Sequence, residues 1–258
     1  MDPVRIIFFD VDGTLIDPAT GCISEKTFHV LHKLQQKGIL ICIATGRPTA
    51  SLPDLKDLRP DVICAFNGSL CYTDSTIIHS VPINRQDVTT IMENAVRIGR
   101  PVSLATKDRL VANGIDKDLS DYYRLANLTL TVSEDFDSAS QEDVYQIMLG
   151  YREGDREKLL KDTKDVKIAL SWDRAADVIP SKSGKGNAIS KILSYFDLQV
   201  SQAMAFGDSY NDIQMLQAVG HGIAMGNAPE ELKAVAAEVC GSVSQDGIYH
   251  YCLTKGLI

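Results

Sequence analysis

Hydrophobic positions fall along this chain in two patterns. Short aliphatic runs, Val4 to Phe9, Ile39 to Ala44, Val62 to Phe66, Ala203 to Phe206 and Gly222 to Met225, are each followed by polar or glycine-containing residues. Continuous runs of this kind suit strands buried on both faces, as in a parallel sheet covered by helices. Between them the apolar positions change to helical spacing. Phe28, Leu31 and Leu34 share one face of a helix predicted over residues 25–37, with Ser24 as its cap and Gly38 as its stop. Residues 187–195, 212–218 and 229–237 read as helices too. Strands alternating with helices predict a doubly wound, Rossmann-like α/β core.

The middle of the chain departs from that alternation. A predicted helix at residues 85–98 precedes strands at 102–106 and 109–113. A second helical stretch near 117–126 follows, then a strand at 144–151, a helix at 155–163 and strands at 166–172 and 176–179, roughly αββαββ. Pro82 and Pro180 stand near the two ends of this stretch, where proline stiffens a crossing between domains. The expected organisation is a core of residues 1–82 and 181–258 interrupted by a second domain of residues 83–180.

Composition narrows the possible functions. With 26 basic and 34 acidic side chains among 258 residues the formal charge is −8, and 45% of residues are hydrophobic. A packed core is expected and disorder is not. Nucleic acid and anionic membranes are polyanions that an acidic chain repels at long range, so neither is expected as a partner. No cationic segment followed by an apolar run opens the chain, and no run approaches the ~20 residues that span a bilayer. Six cysteines without a C-x-x-C pair, several in aliphatic runs, read as reduced core thiols of a cytoplasmic protein. The oligomeric state stays open between a monomer and a weak dimer.

Four short segments carry chemistry. Asp10 and Asp12 follow the first strand, where alternation sends both carboxylates to the same side, and Gly13-Thr14 allows a tight turn with backbone N–H groups facing an anion. A capped turn is the plain alternative. Asp208, Asn211 and Asp212 follow the aliphatic run ending at Phe206, and N-capping by Asp208 or Ser209 would explain them as ordinary structure. If the two strands are neighbours, the acids converge in an oxygen-rich crevice that needs a divalent cation, and Mg²⁺ suits such ligands. Thr45, Gly46 and Arg47 follow the second strand and offer a hydroxyl and backbone donors to phosphate oxygens. Lys185, between Gly184 and Gly186, either holds a phosphate or is a solvated surface group. It is no nucleotide-loop lysine, because Ile179 stands where that loop needs its first glycine and Gly186 replaces the hydroxyl residue.

Taken in order, Asp10-Val11-Asp12-Gly13-Thr14, Thr45-Gly46-Arg47, Lys185-Gly186 and Gly207-Asp208-Ser209-Tyr210-Asn211-Asp212 resemble the four motifs of the haloacid dehalogenase superfamily. Phe66-Asn67-Gly68, Met225-Gly226-Asn227-Ala228 and Asp246-Gly247 are similar to its Cof-type branch, whose α/β cap of the C2B kind lies between the second and third motifs. The resemblance implies a phosphatase of small phosphorylated metabolites, with sugar phosphates foremost and the cap closing over the site. Asp10 would be the nucleophile and Asp12 the general acid and base, its backbone carbonyl on Mg²⁺. Asp10 and Asp208 would ligate the metal, with Asp212 bound directly or through water. Thr45, Lys185 and Asn211 would hold the phosphoryl group, and Arg47 either reaches the leaving group or pairs with the cap. Lys182-Ser183 replaces the family's frequent Gly-Val pair, so Lys182 could compete with Lys185. A phosphomutase on the same core and a non-catalytic phosphometabolite-binding protein are the alternatives.

His29 and His32 have helical spacing but no third ligand, and read as one core and one exposed histidine. Tyr122, Tyr123 and Trp172 suit either a sugar-stacking surface or a core. Asn67-Gly68-Ser69 and Asn127-Leu128-Thr129 match a glycosylation pattern that has no meaning without secretion.

Overall fold

A computed structural model of the chain describes residues 2–126 and 128–258, without the side chains of residues 170 and 171, so Asn127 lies outside the described residues. The chain folds as two compact units. The first comprises Met1–Gly46, Asp54–Ser80 and Gly184–Ile258, and the second Arg47–Pro53 with Val81–Ser183.

In chain order the first part of unit 1 holds β1 (Ile6–Phe9), a small hairpin of β2 (Ile16–Asp17) and β3 (Cys22–Ile23), α1 (Glu25–Gln36), β4 (Leu40–Ala44), β5 (Val62–Ala65), β6 (Leu70–Tyr72) and β7 (Ile77–Ser80). Unit 2 then contributes α2 (Arg85–Arg97), β8 (Val102–Thr106), β9 (Leu110–Ala112), α3 (Lys117–Leu125), α4 (Phe136–Ala139), β10 (Val144–Gly150), α5 (Arg156–Leu159), β11 (Val166–Trp172) and β12 (Ala175–Pro180). Unit 1 resumes with α6 (Lys185–Tyr195), β13 (Ala203–Gly207), α7 (Ile213–Gln217), β14 (His221–Ala224), α8 (Glu230–Val235), β15 (Glu238–Val239) and α9 (Gly247–Thr254).

The sheet of unit 1 runs β15-β14-β13-β1-β4-β5-β6-β7. Its first six strands are parallel, and β6 and β7 extend it as an antiparallel hairpin. The aliphatic runs have the expected cause. Ile6 and Phe8 pack with α6 and α7 residues such as Ile189, Ile192 and Met215, while Ile7 and Phe9 pack on the opposite face with Phe28, Leu31 and Ile248. A strand with a hydrophobic layer on each side has no polar positions. Ser24 caps α1 as expected, its hydroxyl accepting from the Thr27 N–H at 3.1 Å. Hairpin β6–β7 and helix α9 were not among the predicted elements.

Unit 2 is an antiparallel sheet in the order β11-β12-β10-β8-β9, with α2, α4 and α5 contributing to its own hydrophobic cluster. The short helix α4 interrupts the expected αββαββ pattern. Tyr122 stacks on Trp172 at 6.2 Å between ring centroids, Arg174 lies over the indole at 4.0 Å, and the Tyr123 hydroxyl bonds Ser103. These aromatics thus pack within unit 2. The histidine reading is corrected: His29 is exposed and His32 half-buried beside Asp57, so neither is a core residue, because their side of α1 faces away from the sheet. Cys42, Cys64, Cys71 and Cys252 are buried thiols, whereas Cys22 is exposed.

A charge network ties α3 to three strand ends of unit 2, before β8, after β10 and before β12. Asp118 accepts from Arg100 at 3.1 Å, Arg152 at 2.9 Å and Arg174 at 3.3 Å. Burial pushes its carboxyl up, but the guanidinia of Arg152 and Arg100 outweigh that and hold it below the usual carboxylate range. Asp118→Asn should destabilise the protein by about 1–2 kcal/mol at neutral pH, a figure kept small because the pairs are partly solvated. The carboxylate's contribution is complete above its unfolded pKa and is lost as the pH falls through the lower folded value. Urea unfolding should therefore show the gap between wild type and variant closing in strong acid.

Candidate active site

Parallel register brings the chemistry to one edge of the sheet of unit 1. Phe9 pairs with Phe206 on one side and with Ile43 on the other, so the chain leaves β1, β13 and β4 almost level. Asp10 continues β1, its N–H donating to the Phe206 carbonyl at 3.0 Å. This is the C-terminal end of the parallel strands, where open α/β sheets bind ligands.

Asp10, Asp208 and Asp212 each offer a carboxylate oxygen within 4.8 Å of the others. Lys185, 1% exposed, is not the solvated side chain that a flanking pair of glycines allows. Its Nζ donates to Asp10 Oδ1 at 2.5 Å and to Asp212 Oδ1 at 2.6 Å. Gly186 accounts for its placement, because a Cβ there would lie 2.6 Å from the Gln214 carbonyl oxygen, and the bare backbone lets α6 and α7 close on each other. Asp212 is fully buried, and its Oδ2 accepts from the backbone N–H groups of Asp208 at 3.0 Å and Ser209 at 3.1 Å. The two oxygens of Asp212 thus hold the loop and the lysine, and its carboxylate forms a capping box with Ser209.

Asp208 is the more open member of the cluster. Its Oδ1 accepts from the Thr14 hydroxyl at 2.9 Å and its Oδ2 from the Asn227 amide at 3.2 Å, and the same amide donates to the Gly13 carbonyl at 2.9 Å. Gly13 has φ +84°, and a Cβ on it would lie 2.1 Å from Asp208 Oδ2. The glycine is required by its conformation and by the approach of the carboxylate. Sequence reasoning gave Thr14 only a backbone role in the turn and Asn227 none, although both lie within quoted motifs. A carboxamide just past the end of β14 was the available signal.

The electrostatics describe a site short of positive charge. Burial raises the Asp10 carboxyl well above its usual range, and Asp212 raises it further while Lys185 pulls it down. Asp208 is pushed up to about 6, first by burial and then by Asp212, against the hydrogen bond from Thr14. Burial alone would lower Lys185, but Asp10 and Asp212 reverse that and hold it protonated. Ionising all three carboxylates against one ammonium would leave two negative charges in a poorly solvated space. Such a hard, oxygen-rich donor set fits a divalent cation.

The remaining candidates lie around this cluster in different ways. Asp12 is exposed on the turn after β1, where it bridges to Ile16, so the two motif carboxylates differ in burial. Thr45 is buried at the end of β4, its N–H donating to the Cys64 carbonyl at 2.8 Å. Gly46 follows it, and a Cβ there would come within 3.1 Å of the Asn67 carboxamide. Asn211 is exposed, and its Nδ2 donates to Asn67 Oδ1 at 3.0 Å. Arg47 groups with unit 2, where its guanidinium donates to the Ser51 carbonyl at 3.0 Å. Lys182 is exposed and belongs to unit 2, whereas Lys185 is in the acid cluster of unit 1.

Residues 7–252 match the family described as haloacid dehalogenase-like hydrolase. The chain belongs to the haloacid dehalogenase-like hydrolases. Among relatives of this hydrolase, YkrA of Bacillus subtilis, a candidate phosphatase, is 27% identical over 98% of each chain. An HMP-PP phosphatase of Yersinia pseudotuberculosis is 26% identical over 96% of this chain and 93% of its own. Among solved structures, the subclass IIB sugar phosphatase BT4131 superposes with a TM-score of 0.86 at 28% identity, covering 99% of this chain and 100% of that one. The protein is a phosphatase of this family with the expected α/β architecture. No helix among the described residues is long and apolar enough to cross a membrane.

Removing the buried ammonium exposes the charge imbalance directly. Lys185→Met should cost about 3–5 kcal/mol of stability in a chelating buffer, the usual result of leaving buried charges unpaired. Excess Mg²⁺ should restore a larger share of the melting temperature in the variant than in the wild type. Equal shifts in the two proteins would mean that the cation and the lysine do not share these carboxylates.

Proposed function

We propose that this hydrolase is a Mg²⁺-dependent phosphatase of small phosphorylated metabolites, sugar phosphates foremost, acting through an aspartyl-phosphate on Asp10. The observation that carries the reading is the Lys185 ammonium held between Asp10 and Asp212, with Asp208 beside them at the strand ends. The likeness to a sugar phosphatase supports the substrate class, and the HMP-PP phosphatase relative keeps other small phosphate esters in view.

The carboxylate of Asp10 attacks phosphorus, forming the acyl phosphate as the bond to the leaving oxygen breaks. Asp12 protonates that oxygen and then removes a proton from the water that cleaves the acyl phosphate, releasing inorganic phosphate and regenerating Asp10. Its exposure on the turn suits a group that exchanges protons with substrate and water. Lys185 offsets the charge of Asp10 and of the transferring phosphoryl oxygens, which Thr45, the Gly46 loop and Asn211 help to hold. Arg47 is assigned to substrate contact beyond the phosphoryl group. Asp10 and Asp208, with the Asp12 carbonyl, would hold Mg²⁺, and the engaged oxygens of Asp212 favour its acting through a water. Bound there, the cation supplies charge neutralisation at the phosphoryl oxygens. The second unit, which takes the cap's place in chain order, is assigned the C2B cap role.

The reading is tested by a screen of phosphorylated sugars, nucleotides and cofactors for release of inorganic phosphate, with an isomeric sugar phosphate as the mark of a mutase. Asp10→Asn should lower turnover by at least about 10³-fold with the fold intact, because the change keeps the shape and removes the nucleophile while Asp212 still pairs with Lys185. EDTA should abolish turnover reversibly. Turnover by the variant at the wild-type rate would remove Asp10 from the mechanism, and binding without turnover under saturating Mg²⁺ would favour a binding protein.

A further inference from the structure

The segment after β5 plays no part in the chemistry above, yet its backbone is unusual. Phe66 and Asn67 have φ values of 52° and 53°, and Gly68 follows at 90°. Left-handed conformation is unfavourable for an aromatic residue and is tolerated by asparagine, whose short polar side chain can bond locally. Thr45 N–H donates to the Cys64 carbonyl of β5 at 2.8 Å, and Asn67 N–H ties the turn to the end of β4 by donating to the Thr45 carbonyl at 2.9 Å. The Asn67 side chain then lies against Gly46, where a Cβ would stand 3.1 Å from both Nδ2 and Oδ1. From there Oδ1 accepts from Asn211 Nδ2 at 3.0 Å.

We propose that Asn67 is a positioning residue that couples the Thr45-Gly46 loop to Asn211 and so presets the phosphate-holding side of the site. The inference rests on the phosphatase reading. The Asn211 amide nitrogen carries two hydrogens. With one committed to Asn67 Oδ1, rotation of the exposed side chain is restrained and the other hydrogen is left for an anion. An exposed asparagine without that anchor loses rotamer freedom on binding, which weakens the contact. The left-handed turn is the means of delivery, since it directs a short side chain from the end of β5 across Gly46 to the loop after β13.

Asn67→Gly retains the backbone conformation and deletes the carboxamide. The variant, Asn211→Ala and the double variant are compared for binding of inorganic phosphate by calorimetry in saturating Mg²⁺, and for kcat and KM on an ester that the wild type hydrolyses. Each single change should weaken phosphate binding about 3- to 10-fold, the scale of one oriented hydrogen bond. The double variant should bind no more weakly than Asn211→Ala, with the melting temperature of Asn67→Gly unchanged. Multiplicative losses in the double variant, or wild-type phosphate affinity in Asn67→Gly, would overturn the proposal. Should Asn67→Gly fail to fold, Asn67→Ser, too short to reach Asn211, is read by the same cycle. A wild-type protein that neither binds phosphate nor releases it from any ester removes the phosphatase reading and this proposal together; wild-type activity beside an uncoupled cycle removes the proposal alone.

Discussion

One buried ammonium organises this molecule. Lys185 lies where water cannot stabilise its charge, and it is tolerated there because Asp10 and Asp212 each give it an oxygen. It in turn offsets the charge of both buried carboxylates. The three groups come from the end of β1, the start of α6 and the turn after β13, so their mutual dependence ties distant segments to one point. Breaking such a group is far more costly than its net contribution suggests, because the partners left behind cannot be resolvated.

Much of the surrounding backbone follows from that constraint. The close approach of α6 and α7 at Gly186 brings the lysine stem and Asp212 into the same layer, and the Asp212 carboxylate takes two backbone N–H groups of its own loop. On the other side of the cluster, Gly13, Thr14 and Asn227 shape a polar rim around Asp208. The arrangement therefore grades from a fully paired interior at Asp212 to a more open carboxylate at Asp208. That gradient orders the groups by how much charge each can still share with a ligand.

The fold class and the strands that form the floor of the site were legible because a strand covered on both faces must be apolar throughout, as β1, β4 and β13 are. The candidate acids were legible because each follows such a strand. Other features depended on contacts far along the chain. Lys185 between two glycines reads equally as solvated or buried, and the decision is made by α7, nearly thirty positions later. Hairpin β6–β7 consists of three- and four-residue strands with exposed positions, which give weak periodicity. Helix α9 begins after a left-handed Asp246 whose carboxylate accepts from Ser24 and Lys26 and makes no cap bond to the first turn, so the usual capping signal does not act there. Asn67 stood within a recognisable motif, while its bond to Asn211 could come only from the folded chain.

The position of β1 also governs how the chain can acquire its structure. This strand lies between β4 and β13, and all of Val81–Ser183 comes before β13 in the chain. During synthesis from the N-terminus, β1 can pair with β4 early, yet its other edge stays open until Gly207 has been made. That edge belongs to the aliphatic segment Ile6–Phe9, whose backbone groups are a template for unwanted strand pairing. Unit 2 has a hydrophobic cluster of its own and can consolidate in the interval. Placing the nucleophile candidate at the centre of the sheet thus makes the last third of the polypeptide the step that closes the core, and leaves a long window in which a chaperone would have something to hold.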